Sequence, residues 1–390
     1  MDTPQTTRFG LLNIRHDNVW AKVIPPSEMC TDFNTSVSWL YRYLTWETVT
    51  YPGGKKTKTK RSLFYPGTRI FPAGLLPAVQ AAADRDGLAI SATQALGFVQ
   101  EPDNDTDVAW LRPYQLEALK SAHIRKRGVM WLPTGSGKTE IAAALMASVR
   151  CRWLFIVHRA QLVRQSAERY TQRTGERAGM LGAGHNEICR VTFATFQTLA
   201  SAFKPRNNGG GRHGAIRSLV REAGGIVVDE CHVLPSRTFL KLSQEAKSAA
   251  YRIGLSATPF SRDDMGSLHL IGALGPTLYK LDVDTLAERG AIIKPVVRFV
   301  PVDQHVQTPN VRNPAKAWQA VYQDGIVNSE PRNHAVAEVV MDCQKPCLVF
   351  VKEIAHLDAL SGVLRGAGVE VATVDGSMSQ DDRAARIEML

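Results

Sequence analysis

Two groups of residues carry the chemistry legible in this sequence. The first is LPTGSGKT, residues 132–139. Gly135 and Gly137 permit backbone conformations that a side chain forbids, so successive N–H groups can point into one concavity. Lys138 brings a point charge to the β- and γ-phosphates of a nucleotide, and the Thr139 hydroxyl is placed to ligate Mg²⁺. Pro133, Thr134 and Ser136 complete the loop. The general phosphate-loop pattern begins with Gly, and Leu132 stands there instead. The second group is Asp229 and Glu230, directly after the apolar run Ile226-Val227-Val228. Asp229 can hold the Mg²⁺ shell while Glu230 orients and deprotonates an attacking water. Alone, the first is a glycine turn and the second an acidic surface turn. Together they point to phosphoryl transfer from a nucleotide, in which placement of charge is the catalysis.

These residues need strands and helices to hold them. The run Gly128–Pro133 reads as a strand, and EIAAALMASVR after the loop reads as a helix whose N-terminus adds partial positive charge beneath the phosphates. Strand-like runs RWLFIVH, CRVTFAT, GGIVVDECH and YRIGLSATPF then alternate with helical ones such as AQLVRQSAERYTQRTG. That order specifies a doubly wound parallel sheet with its ligand at the carboxyl ends of the strands. The stretch 204–214, KPRNNGGGRHG, reads as a mobile surface loop. Upstream, LRPYQLEALK is a proline followed by a short helix. Its position makes Arg112 and Gln115 candidates for nucleotide contact, the Gln115 amide being able to donate to and accept from an adenine edge.

With 390 residues the chain exceeds one ordinary domain. Texture divides it into a small α+β segment 1–106, a first α/β domain 107–293, and a second 294–390. In the first segment VSWLYRYLTWETVTY and SLFYPGTRIF read as strands about a PGG turn, and AGLLPAVQAAADRDG reads as a helix. A basic run, Lys55, Lys56, Lys58, Lys60 and Arg61, accompanies the hairpin. It is either a solvated face or a nucleic-acid contact, and a formal net charge of +10 favours a polyanionic partner. In the third segment PVVRFVPV, CLVFVKE and EVATVDG read as strands between helices. The six cysteines form no C-x-x-C pair, so neither a zinc site nor a disulfide framework is indicated. No signal pattern or membrane-spanning run occurs, which implies a cytoplasmic protein with no membrane partner.

In combination the motifs resemble those of the superfamily 2 helicases and translocases. LPTGSGKT is similar to motif I, VVDECH to motif II as a DECH box, LSATP to motif III, LRPYQ to the adenine-reading motif, IVHRAQLVRQ to motif Ia and VTFATFQTL to motif Ib. CLVFVKEIAHLDAL and EVATVDGSMSQDDR resemble the start of a second motor domain. The texture is most like phage-type DNA helicases of recombination and fork remodelling and their repair relatives. The resemblance implies two RecA-like motor domains, the second partial, behind an N-terminal DNA-binding domain. It implies ATP and Mg²⁺ as cofactors and DNA as partner, in single-stranded, duplex or branched form. Ser256, Ala257, Thr258 and His232 would link nucleotide state to DNA grip, and Arg164 and Gln165 would contact DNA. Motifs V and VI, with their arginine finger, have no counterpart after Asp382, so the resemblance implies slow hydrolysis by residues 1–390 alone. The alternatives are an RNA helicase, a nucleotide-gated DNA-binding module without efficient turnover, and a restriction-system motor.

Overall fold

The computed structural model describes residues 12–25, 31–50, 57–94, 101–103, 105–204, 209–234, 236–260, 266–293, 296–306, 314–344 and 346–388. The chain divides into two units, Met1–Lys294 and Pro295–Leu390.

The first unit opens with β1 (Leu12–His16) and β2 (Trp20–Ile24), antiparallel about a turn held by Asp17. The Asp17 carboxylate accepts the Val19 and Trp20 N–H groups at 2.6 and 2.7 Å. Then come α1 (Thr31–Tyr43), β3 (Thr45–Thr50), β4 (Thr57–Ser62), β5 (Ile70–Pro72), α2 (Leu76–Arg85) and β6 (Ile90–Gln94). The sheet order is β5-β2-β1-β6, while β3 and β4 form a separate two-stranded ribbon. The stretch VSWLYRY, expected as a strand, belongs to α1. Aromatic composition suggested a strand, but Phe33, Ser36, Leu40 and Leu44 recur at helical spacing and are all buried. Trp39 and Tyr43, four residues apart, stack at 5.4 Å.

The eight-stranded sheet follows. Its elements are α3 (Pro113–Arg125), β7 (Arg127–Trp131), α4 (Lys138–Ser148), β8 (Trp153–Val157), α5 (Ala160–Thr174), β9 (Gly179–Gly182), β10 (His185–Asn186) and β11 (Val191–Thr195). They continue with α6 (Phe196–Ala202), α7 (Gly211–Glu222), β12 (Gly225–Val228), α8 (Ser236–Glu245), β13 (Tyr251–Ser256), α9 (Gly266–Leu274), β14 (Thr277–Lys280) and α10 (Val283–Glu288). The strand order is β10-β9-β11-β8-β12-β13-β7-β14, parallel throughout except for the β9–β10 hairpin.

Every residue of β8, β11, β12 and β13 is buried, as a sheet covered by helices on both faces requires. Alternate residues serve different cores. Trp153, Phe155 and Val157 join one cluster with α3, α4 and α5, while Leu154 and Ile156 join the other. That second cluster runs on without a break into Leu12, Ile14, Leu40, Phe71 and Val79 of the N-terminal sheet and helices.

Residues 205–208 of the expected loop lie outside the described residues, and α7 begins at Gly211, so RHG is helical. Ile216, Leu219 and Val220 bury one face of this helix, and that burial outweighs the glycine-rich start.

The second unit holds α11 (Pro314–Tyr322), a π turn at Gln323–Val327, α12 (Glu330–Asp342), α13 (Ile354–Gly366) and α14 (Gln380–Glu388). Ala337, Val340, Leu360 and Leu364 form its core. The three strands expected here are not formed among the described residues. β-Branched composition gives a run the tendency to extend, but only a laddered neighbour makes it a strand. Without one, Val296, Phe299 and Phe350 are 95%, 90% and 89% exposed. Among the described residues of both units, no helix is long and apolar enough to cross a membrane.

Candidate active site

The chain leaves β7 at Trp131 and enters α4 at Lys138, so residues 132–137 form the loop between a central strand and a helix N-terminus. Gly135 (φ 82°) and Gly137 (φ 76°) are both left-handed, a conformation that L side chains rarely adopt. Ser136 N–H donates to Pro133 O at 3.3 Å within the turn, and Leu132 N–H donates to Ser256 O at 2.9 Å, tying the loop to the end of β13. The departure at Leu132 has a simple cause. Its side chain is fully buried in the core cluster and its backbone is not left-handed, so the position does not require glycine. Pro133 is buried, Thr134 exposed, and Thr139 half-buried in the first turn of α4.

Lys138 is 9% exposed, and its Nζ lies 3.6 Å from Glu230 Oε1 and 3.4 Å from Leu132 O. The pair arises from parallel pairing. Asp229 N–H donates to Ile156 O at 2.9 Å, continuing the β12–β8 register. The backbone then turns sharply at Glu230, a left-handed non-glycine residue with φ 44°. Such conformations persist where the surroundings over-determine them. Burial and the neighbouring Glu230 charge push the Asp229 carboxyl up from its ordinary range, partly offset by the Glu230 N–H and Lys138. The site therefore holds a half-buried carboxylate short of positive charge.

That is the environment a divalent cation relieves. The described residues contain no cluster of three or more His, Cys, Asp or Glu side chains able to cage a metal. One carboxylate and one hydroxyl suit Mg²⁺ arriving with nucleotide phosphates, since this ion keeps waters and shares its shell with phosphate oxygens. Asp229 and Thr139 would hold it, and it would neutralise charge on the phosphoryl oxygens.

His232 follows two residues later and joins this strand end to the next. Its Nδ1 is 2.8 Å from Ser256 Oγ and 3.4 Å from Glu230 Oε2. Ser256 Oγ also accepts the Thr258 N–H at 3.0 Å, so the Ser256-Ala257-Thr258 turn is closed on itself beside the carboxylates.

At the start of α3, Gln115 is buried and its amide is engaged at both ends. Its Oε1 accepts the Arg112 N–H at 2.8 Å, and its Nε2 donates to Ser136 O at 2.9 Å. An adenine contact would fall to its remaining N–H and lone pair. The exposed Arg112 side chain donates to Ala291 O at 3.2 Å. The residues expected at DNA lie elsewhere. Arg164 and Gln165 are exposed on α5, with Arg164 Nε 3.6 Å from Glu168. Lys58, Lys60 and Arg61 fall on β4, opposite Val49, Glu47 and Trp46. Lys55 and Lys56 lie outside the described residues.

Two features were missed by sequence reading. Tyr114 Oη donates to Ser136 O at 2.9 Å, the same carbonyl that Gln115 holds. Glu140, one residue beyond Thr139, accepts Arg169 at 2.8 Å and Arg173 at 2.6 Å from α5. The four-residue spacing of those arginines was the available signal.

Residues 109–261 match the family described as Type III restriction enzyme, res subunit. The chain is 32% identical over 177 residues to the DNA 3'-5' translocase XPB2 of Sulfurisphaera tokodaii, covering 45% of this chain and 37% of that protein. It is 30% identical over 250 residues to the DNA 3'-5' helicase XPB of Kineococcus radiotolerans, covering 60% and 43%. It is 23% identical over 300 residues to putative helicase 22 of a Sulfolobus islandicus filamentous virus, covering 72% and 53%. The matched region thus spans about half or less of each relative. Among solved structures, the UvsW helicase from bacteriophage T4 superposes with a TM-score of 0.52 at 16% identity, over 68% of this chain and 98% of that one. That likeness concerns the fold, which is the RecA-like α/β type.

Proposed function

We propose that this chain, a member of the superfamily 2 helicases, couples hydrolysis of Mg²⁺-bound ATP to movement on DNA. The observation that carries the reading is the ion pair of Lys138 with Glu230, 3.6 Å apart at the adjoining ends of a phosphate loop and a two-carboxylate strand end. ATP entering the loop would draw Lys138 from Glu230 to the phosphates. Glu230 would then be free to orient a water and take its proton, while Asp229 and Thr139 share the cation. His232, held between Glu230 and Ser256, would report the loss of the γ-phosphate to the turn at Ser256–Thr258. The basic run Lys55, Lys56, Lys58, Lys60 and Arg61, together with the exposed Arg164 and Gln165, would contact the DNA backbone. The relatives named as DNA 3'-5' translocase and DNA 3'-5' helicase support DNA as the track.

Phosphate release measured without nucleic acid and with single-stranded DNA, branched DNA or RNA tests the proposal. Stimulation by DNA over RNA is the expected result. Stimulation by RNA alone would make this an RNA motor, and binding of ATP with no release under any condition would leave a nucleotide-gated module.

A further inference from the structure

The Tyr114 hydroxyl acts on the phosphate loop from outside it. Tyr114 is 2% exposed, with its ring in the core cluster beside Leu111, Ala118 and Leu119. A buried phenol needs a partner, and this one donates to Ser136 O at 2.9 Å while Gln115 Nε2 donates to the same oxygen at 2.9 Å. Both lone pairs of one loop carbonyl are therefore engaged by consecutive residues of one helix. The peptide unit is planar and trans, so fixing the direction of the Ser136 C=O fixes the Gly137 N–H in the opposite direction. That direction is away from α3. Gly137 is left-handed, and a Cβ at this position would collide with Gln115 Nε2, so the loop and α3 are built to touch here. A flip of the Ser136–Gly137 peptide would strand two buried donors at once.

We propose that Tyr114 is a positioning residue for the triphosphate cradle: its hydroxyl, together with the Gln115 amide, locks the Ser136–Gly137 peptide so that the Gly137 N–H faces the phosphates. This rests on the reading of residues 132–139 as a triphosphate site. A cradle fixed this way acts on phosphate oxygens and is indifferent to the base. Loss of one neutral hydrogen bond corresponds to about a fivefold to tenfold change in affinity.

Tyr114→Phe keeps the ring and removes only the hydroxyl. Binding of ATP, GTP and inorganic tripolyphosphate, each with Mg²⁺, is measured by titration calorimetry on the parent chain and on this variant, below the unfolding transition of both. The expected result is the same weakening, about fivefold to tenfold, for all three ligands. Parental affinity for all three overturns the proposal, because the hydroxyl then serves packing alone. Weakening confined to ATP overturns it too, assigning the hydroxyl to the base. A parent chain that binds none of the three overturns both this inference and the site on which it rests.

Discussion

Replacing Glu230 by Gln separates binding from chemistry at this site. Lys138 Nζ and Glu230 Oε1 are 3.6 Å apart, a Coulomb attraction of about 5 kcal/mol at an effective dielectric of about 20. The Glu230 side chain is 29% exposed, so solvent screening leaves a net contribution of about 1 kcal/mol. Glu230→Gln removes this competitor for Lys138, and ATP should bind up to about fivefold tighter. Hydrolysis should fall by about 10²–10⁴, the usual worth of a positioned base, or about 3–5 kcal/mol of barrier. Lys138→Ala should do the reverse at the binding step, weakening ATP by about tenfold to a hundredfold through loss of a charge-assisted hydrogen bond. The assay pairs equilibrium binding of a fluorescent ATP analogue with single-turnover hydrolysis at saturating DNA. Parental hydrolysis by Glu230→Gln, or a binding defect matching that of Lys138→Ala, would refute the division of labour.

Three further expectations follow from the geometry. Neutralising Lys55, Lys56, Lys58, Lys60 and Arg61 should weaken DNA binding for all sequences alike and lower the log–log salt slope by about 0.9 for each phosphate no longer neutralised; an unchanged slope returns the run to a solvated face. The folded Asp229 pKa is raised, so the native state holds its proton more tightly than the unfolded chain does, and stability is lost as pH rises through the folded value. Asp229→Asn should therefore raise the melting temperature of the nucleotide-free protein at neutral pH, with the difference closing in acid below the ordinary carboxylate value. Arg252 is 1% exposed and donates to Ser243 O, Ala246 O and Ala249 O at 2.9, 2.6 and 3.0 Å, and burial lowers its pKa to about 9. Arg252→Met should remove these three hydrogen bonds and cost about 3 kcal/mol in denaturant unfolding.

What was legible in the chain is local chemistry. Gly135, Gly137 and Lys138 sit within a few residues of one another, Asp229 and Ser256 each close a short apolar run, and these runs alternate with helices as a parallel sheet must. The illegible parts depend on partners far along the chain. Tyr114 reads as an aromatic core residue until Ser136 O is found beside its hydroxyl, and Glu140 reads as helix surface until Arg169 and Arg173 close on it. VSWLYRY could not be told from a strand by composition, because which face is buried was decided by Phe71, Leu75 and Val79 packed against the same core. PVVRFVPV and CLVFVKE carry the composition of strands, while a ladder is a property of two segments.

The core that joins the N-terminal sheet to one face of the eight-stranded sheet has a mechanical consequence. Pro72 and Gly74 meet Ile271 and Gly272 of α9 closely enough that a side chain at Gly74 would strike the helix backbone, and Asn18 Nδ2 reaches Lys247 O at 3.5 Å. Nothing in that seam can slide without opening buried apolar surface. The β1–β2 sheet therefore works as a stiff outrigger, not as a tethered module. A load applied to it would be felt at the base of β7 and β13, the strands whose far ends carry the phosphate loop and Ser256.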